Sequence, residues 1–375
     1  MAHKHLKGLN TLRFFAAFLV VIYHGKHHLN NMGIPFGDGF KILDQGKTAV
    51  DFFFVLSGFL ITYLAISEIK IKGKINFKHF YIRRIFRIMP LYYMAFIIML
   101  VFLGFIAPKL LSQDNVLGFP LLEGTLLYIG MLPNLVTPIW NETVGGMNIF
   151  WSIGVEEQFY LLFPLVIFGL KNVKNKILYL LTLFVLYFVF YWCIKINFFQ
   201  FNSIIVDFVG TLKFHYMIMG IIFAVICHEY LFDNKSVFLQ NLIDSLYFQI
   251  AVILIVFIKL FVNFEMYDVL EDLLSTLLFA LLILVISHRQ KEKIFKKDIK
   301  MLSYFGVISY GIYLLHPLVS YFLRFLIKRV VFFGDLINKF PFLYVVILLI
   351  TTIIVAHFSY KYFEQFFLKL KNKYK

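Results

Sequence analysis

The chain has 375 residues, of which 61% are apolar and 15% charged, and its mean hydropathy is +0.82. That balance excludes a disordered chain, a disulfide-stapled secreted domain and an ordinary soluble globule, which carries about 25% charged residues. Lys and Arg outnumber Asp and Glu by 36 to 21; in a membrane protein such an excess gathers in cytoplasmic loops and does not call for a nucleic-acid partner.

What remains is an all-α integral membrane protein. A helix crossing about 30 Å of hydrocarbon needs about 20 residues. Apolar runs predict spans near 9–26, 48–67, 88–107, 150–169, 177–196, 205–227, 242–262, 271–287, 301–327 and 341–362. The first run has a basic start but holds Arg13 and His24 and lacks a small-x-small cleavage site, so it reads as a retained helix. Leu121–Trp140 holds Glu123, Gly124, Gly130, Pro133 and Pro138, and either spans or dips in and returns. The basic residues decide between the two. A dip places 24 Lys/Arg inside and 8 outside, whereas a crossing gives 13 and 19. The expectation is a bundle of about ten transmembrane helices with one re-entrant element and both termini cytoplasmic. Residues 1–375 form one membrane-embedded domain, with no internal repeat. Cys193 and Cys227 lie in apolar runs and imply neither a disulfide framework nor a metal site.

Ionisable groups at membrane depth are functional candidates. Arg13 and His24 are eleven residues apart, which returns them to nearly one helical face, about 16 Å apart along the axis. They either line an interior groove or are a snorkelling Arg and a hydrogen-bonded core His. Asp51 opens the second span in VDFFFVLSGFLIT and is expected near the depth of His24, where it would fix the imidazole or else cap the helix start. Ser57 and Gly58 fit close helix packing better than nucleophilic attack. In FWSIGVEEQFYLLFP, Glu156 shares a face with Ser152; Glu157 points about 100° away, so only one carboxylate need face the interior. His316, in SYGIYLLHPLV, is either functional or a core His donating to a carbonyl freed by Pro317. Lys213 and His215 are further candidates, and Glu364 is expected beside a base. Arg83, Arg84 and Arg87 precede Pro90; positions 83 and 87 share a face, and 84 and 87 also lie close. Such a cluster suits a phosphorylated ligand or anionic lipid headgroups.

Together these segments resemble the acyltransferase 3 family of integral membrane acyltransferases. The resemblance rests on LRFFAAFLVVIYH, VDFFFVLSGFLIT, FYIRRIFRIMPLYY, WSIGVEEQFYLLFP and ISYGIYLLHPL, in the family's order through most of the chain. It implies about ten spans and transfer of an acyl group, usually acetyl, from cytoplasmic acyl-CoA to an acceptor hydroxyl at the outer side. Acceptors would be surface polysaccharides, lipid-linked oligosaccharides or peptidoglycan. The family's Arg and His fall on Arg13 and His24, its basic element on Arg84 and Arg87, and its aspartate on Asp51. Its Trp-Ser-x-x-x-Glu motif falls on Trp151, Ser152 and Glu156, and its Tyr-x-x-His element on Tyr313 and His316. Asn10-Thr11-Leu12-Arg13 departs from the family's Asp-Gly-Leu-Arg, and Glu364 lacks the usual following proline. The chain is expected to lack the extracytoplasmic hydrolase-like domain that many members carry.

The resulting expectation is acetyl-CoA as donor, held by Arg13, Arg83, Arg84 and Arg87, with catalysis by His24, Asp51 and Glu156. Trp151, Ser152, Tyr313 and His316 would line the substrate site. The expected setting is a bacterial cytoplasmic membrane, with lipids, acyl-CoA and a glycan acceptor as partners. The competing readings are a proton-coupled transporter, whose relay residues are of the same types, and a scaffold in which His24 is a core residue.

Overall fold

The structure, a computed structural model, describes residues 8–108, 116–140, 145–232, 236–262, 267–287 and 299–374. Lys4, Lys7, Lys109, Lys235, Lys375 and the basic residues of 288–298, all part of the expected charge split, lie outside these. No strand occurs among the described residues. Inside hydrocarbon every peptide group must find its partner within its own segment, and long Phe, Ile and Leu runs therefore fold as helices.

The helices are α1 (Leu9–Asn31), α2 (Gly46–Lys72), α3 (Phe77–Val101), α4 (Leu121–Ile129), α5 (Val136–Trp140), α6 (Phe150–Asn172), α7 (Lys176–Lys195), α8 (Ser203–Thr211), α9 (Phe214–Ile226), α10 (Val237–Asp244), α11 (Leu246–Phe261), α12 (Asp268–Ser287), α13 (Lys300–Val307), α14 (Ser309–Arg329), α15 (Val331–Lys339), α16 (Phe342–Ser359) and α17 (Gln365–Lys371). Local chemistry sets the ends. Gly73 closes α2 in the left-handed region at φ 74°, and the Asn76 carboxamide caps α3 by accepting from the His79 N–H at 3.1 Å.

Among the described residues, eight helices are long and apolar enough to cross a membrane, or nine if α10 and α11, bent by 63°, form one broken span. The protein is thus a multi-pass membrane protein. The expected span at 242–262 is this bent pair. The expected span at 9–26 is helical throughout, yet α1 is not among the eight: Asn10, Arg13, His24 and Lys26 dilute its apolar run. Leu121–Trp140 is not one crossing helix. α4 stops after nine residues, Gly130 and Pro133 interrupt it, and α5 has five; nine residues of helix rise only about 14 Å.

The chain divides into two units. The first comprises Met1–Ile75, Val166–Trp192 and Lys213–Ser309; the second comprises Asn76–Leu165, Cys193–Leu212 and Tyr310–Lys375. In the first unit α1 packs on α2 and α13, and α2 packs on α9 and α12. The α2–α9 contact is backbone against backbone: a Cβ at Gly58 would overlap the Met217 carbonyl, and one at Gly220 would overlap the Val55 carbonyl. The expected packing role of Gly58 is therefore observed. In the second unit α17 lies along α3, and the rings of Phe80 and Phe163 stack with centroids 5.5 Å apart.

Candidate functional site

In the first unit, α1 holds Arg13 and His24, both half-buried. His24 Nδ1 lies 3.0 Å from the Val20 carbonyl oxygen, one turn back. A carbonyl only accepts, so Nδ1 carries the hydrogen of this bond and a neutral ring presents Nε2 as its acceptor nitrogen. The main chain of α1 thus orients the His24 ring.

Asp51 is placed differently from the expectation. A Cβ at Gly46 would run into the Tyr23 ring, and Lys26 Nζ reaches the Asp44 carboxylate at 2.9 Å, so α2 starts beside the Tyr23–Lys26 level of α1 and runs back along it. Asp51 is five residues farther, about 7.5 Å along the axis, between the levels of His24 and Arg13. It is only 7% exposed and sits in the second turn, so it is not an interfacial cap. Both carboxylate oxygens receive Lys213 Nζ, at 2.9 and 3.0 Å. Lys213 is the residue just ahead of α9, and it is the partner that sequence reasoning left unplaced. Beside it the Tyr216 hydroxyl donates to Asp272 Oδ1 at 3.0 Å, and His215 Nε2 lies 3.9 Å from Asp272 Oδ2. Tyr187, Tyr191 and Tyr216 pack their rings around His215.

In the second unit, Ser152 on α6 and Tyr313 on α14 meet hydroxyl to hydroxyl at 2.6 Å. Both hydroxyls also lie within hydrogen-bond distance of the Ile149 carbonyl, at 3.3 and 3.0 Å, so two hydroxyl hydrogens serve three contacts. Trp151 precedes Ser152 and is half-buried. His316 is fully buried and its Nδ1 lies 2.6 Å from the Tyr313 carbonyl oxygen. That oxygen is the one that loses its helical donor because Pro317 has no N–H. The structural alternative for His316 is therefore what the helix shows, and it again leaves Nε2 as the acceptor nitrogen of the neutral ring.

One turn below Ser152, Glu156 accepts from the Tyr160 hydroxyl. The Arg84 guanidinium lies over the Tyr160 ring, 4.7 Å from its centroid. Arg87 stands within electrostatic range of Arg84, Glu156, Tyr160 and Tyr310, yet is exposed. Arg84 and Arg87 thus stand beside Glu156 and a group of tyrosines. Of the two adjacent glutamates Glu157 is the more buried, and its Oε1 has no hydrogen-bond partner. Arg83 has a different partner: its Nη1 donates to the Tyr374 carbonyl at 2.8 Å. Glu364 accepts from the Ser359 hydroxyl at 3.3 Å and lies within range of Arg87, the base expected near it. Tyr160 was within reach of the sequence, four residues after Glu156 on the same face. Tyr310, whose hydroxyl donates to the Ile88 carbonyl at 2.9 Å, carried no such signal because its partner is a distant main-chain atom.

The structure therefore groups the expected residues into two sets. Arg13, His24 and Asp51 belong to the first unit, and Arg83, Arg84, Arg87, Trp151, Ser152, Glu156, Tyr313 and His316 to the second. Among the described residues, no three His, Cys, Asp or Glu side chains are arranged to hold a metal ion.

Comparison with known proteins adds three findings. The profile of the acyltransferase 3 family, described as an acyltransferase domain, matches residues 6–360. A Staphylococcus aureus (strain COL) protein named provisionally as an O-acetyltransferase is 28% identical over 390 residues, covering 98% of this chain and 58% of the relative. The O-acetyltransferase OatA of S. aureus (strain NCTC 8325 / PS 47) is 34% identical over 166 residues, covering 44% of this chain and 25% of OatA. The chain thus spans between a quarter and three fifths of the length of these relatives. No solved structure matches the chain.

Proposed function

The chain belongs to the acyltransferase 3 family, and from that premise we propose that it is a membrane O-acyltransferase that moves an acetyl group from acetyl-CoA on the cytoplasmic side of a bacterial cell membrane. The acceptor would be a hydroxyl of a surface polysaccharide or lipid-linked oligosaccharide. The observation that carries this reading is the His24 ring, pinned through Nδ1 to the Val20 carbonyl so that Nε2 is the basic nitrogen.

Atoms balance simply. Nε2 takes the proton of the acceptor hydroxyl as its oxygen attacks the thioester carbonyl. The C–S bond breaks, and the proton ends on the departing thiolate, giving an ester and CoA thiol. Alternatively Nε2 itself carries the acyl group between two such steps. The Arg84 and Arg87 guanidiniums supply the bidentate donors that phosphates of the donor require. Arg13, on the His24 face of α1, adds a further cation. Ser152, Tyr313 and Glu156 supply hydroxyl and carboxylate partners of the kind a sugar hydroxyl meets.

The test is thioester consumption by the purified protein in lipid nanodiscs, followed by thiol release, with the wild type and His24→Ala. The reading expects turnover in the wild type and a loss of about a hundredfold or more in the variant. Wild-type-level thiol release from His24→Ala would remove His24 from the chemistry. A wild type that transports a labelled glycan precursor without consuming thioester would favour the transporter. Rapid acid quenching and mass spectrometry of the intact protein would distinguish an acyl-enzyme from direct transfer.

A further inference from the structure

After α17 the chain turns through Asn372–Tyr374 and returns to the basic segment of α3. Tyr374 makes three contacts there. Its carbonyl oxygen accepts from Arg83 Nη1 at 2.8 Å. Its ring stacks over Phe86, with centroids 6.2 Å apart and planes 26° from parallel. The His79 ring meets it edge-on, with centroids 5.5 Å apart and planes at 78°. His79, Arg83 and Phe86 succeed one another at helical spacing and present imidazole, guanidinium and phenyl to one occupant.

An aromatic plate beside a guanidinium, with another guanidinium on the next residue, is the chemistry that takes a purine nucleotide. The base stacks on the rings, and the phosphate oxygens accept from the guanidinium. Tyr374 offers the same two features to the same groups: a flat ring and an oxygen acceptor beside it. Resting on the acyl-CoA reading above and extending it to a subsite, we propose that His79, Phe86 and Arg83 form the seat for the adenine nucleotide end of the donor, and that Tyr374 fills this seat until the donor displaces it. Arg84 and Arg87, on the side of Glu156, then receive the rest of the phosphate chain. Tyr374 is in this sense an internal competitor, which raises the donor concentration needed for turnover.

A tail that only clasps α3 would predict the opposite sign: without Tyr374 the basic segment would loosen and nucleotide would bind more weakly. Titration calorimetry on the full chain in zwitterionic nanodiscs reads that sign. CoA is titrated first, then adenosine 3′,5′-bisphosphate as the nucleotide alone and 4′-phosphopantetheine as the arm alone. Tyr374→Ala is expected to tighten the bisphosphate about three- to tenfold, the worth of one aromatic contact, and to leave phosphopantetheine unchanged. Phe86→Leu, which keeps an apolar side chain but removes the plate, is expected to weaken the bisphosphate by a similar factor. Bisphosphate affinity unchanged or weakened by Tyr374→Ala, in a protein whose wild type binds CoA, overturns the seat. A wild type that does not bind CoA overturns the donor reading, and the seat falls with it.

Discussion

At the scale of single residues, His24 and His316, two of the protein's eleven histidines, are oriented by their own helices. His24 and His316 each give Nδ1–H to a carbonyl on the preceding turn. For His316 the carbonyl is available because Pro317 follows, so Pro317→Ala should restore the main-chain donor and set it in competition with the imidazole. If His316 serves the reaction, turnover should fall in Pro317→Ala with little change in thermal stability; thiol release and a thermal-shift scan measure the two separately. The arginines divide by face in the same way. Arg84→Gln and Arg87→Gln are expected to raise the acyl-CoA KM about tenfold each, the worth of one hydrogen bond to a charged group, with a smaller change in kcat. Much of this was legible before the fold. The Arg13–His24 spacing, the Ser152–Glu156 face and the carbonyl freed by Pro317 are all properties of one helix, and 3.6 residues per turn is enough to derive them. The pairing of Asp51 with Lys213 was not legible, because the two lie 162 residues apart and no local rule links them.

At the scale of elements, the Asp51–Lys213 pair ties α2 to the start of α9. Removing one partner leaves the other as an uncompensated buried charge, at a cost of about 3–5 kcal/mol. Lys213→Met should therefore lower the unfolding temperature strongly, and Asp51→Asn with Lys213→Met should recover most of the loss; thermal unfolding of the four proteins in the cycle measures the coupling. Gly58 and Gly220 impose a second demand on the same helix pair. Gly58→Val would drive a branched side chain into the Met217 carbonyl, and it should cost as much as a severe core substitution, with little folded protein recovered on size-exclusion chromatography. Gly58 was readable as a packing glycine. Its partner Gly220 was not, because a glycine in an apolar run does not announce which helix it meets.

At the scale of the whole molecule, composition alone established a multi-pass helical membrane protein, and the order of five weak motifs pointed to the family. Counting crossings was harder. A span-length rule treats 9–26 and 242–262 as ordinary spans, whereas α1 is polar for a crossing helix and α10–α11 bends by 63°. The basic-residue bias predicts which side each loop faces, and this is directly measurable. With Cys193 and Cys227 replaced by serine, Lys74→Cys should react with a membrane-impermeant maleimide only in inverted vesicles, and Gln200→Cys only in intact cells. Labelling with both sides exchanged would invert the topology and put Arg84 and Arg87 on the acceptor side. Glycan mass spectrometry with and without the gene should show a product lighter by one acetyl group per site when the gene is absent.

The contact at Gly58 and Gly220 also bears on how ligands get in. Carbonyls that each face a glycine across two helices resist sliding, since a shift that brings a larger residue opposite them drives its Cβ into the backbone. α2 and α9 must therefore travel together as a rigid stave. Whatever opening admits a bulky thioester or a sugar has to come from helices that meet through side chains, which can change rotamer and yield.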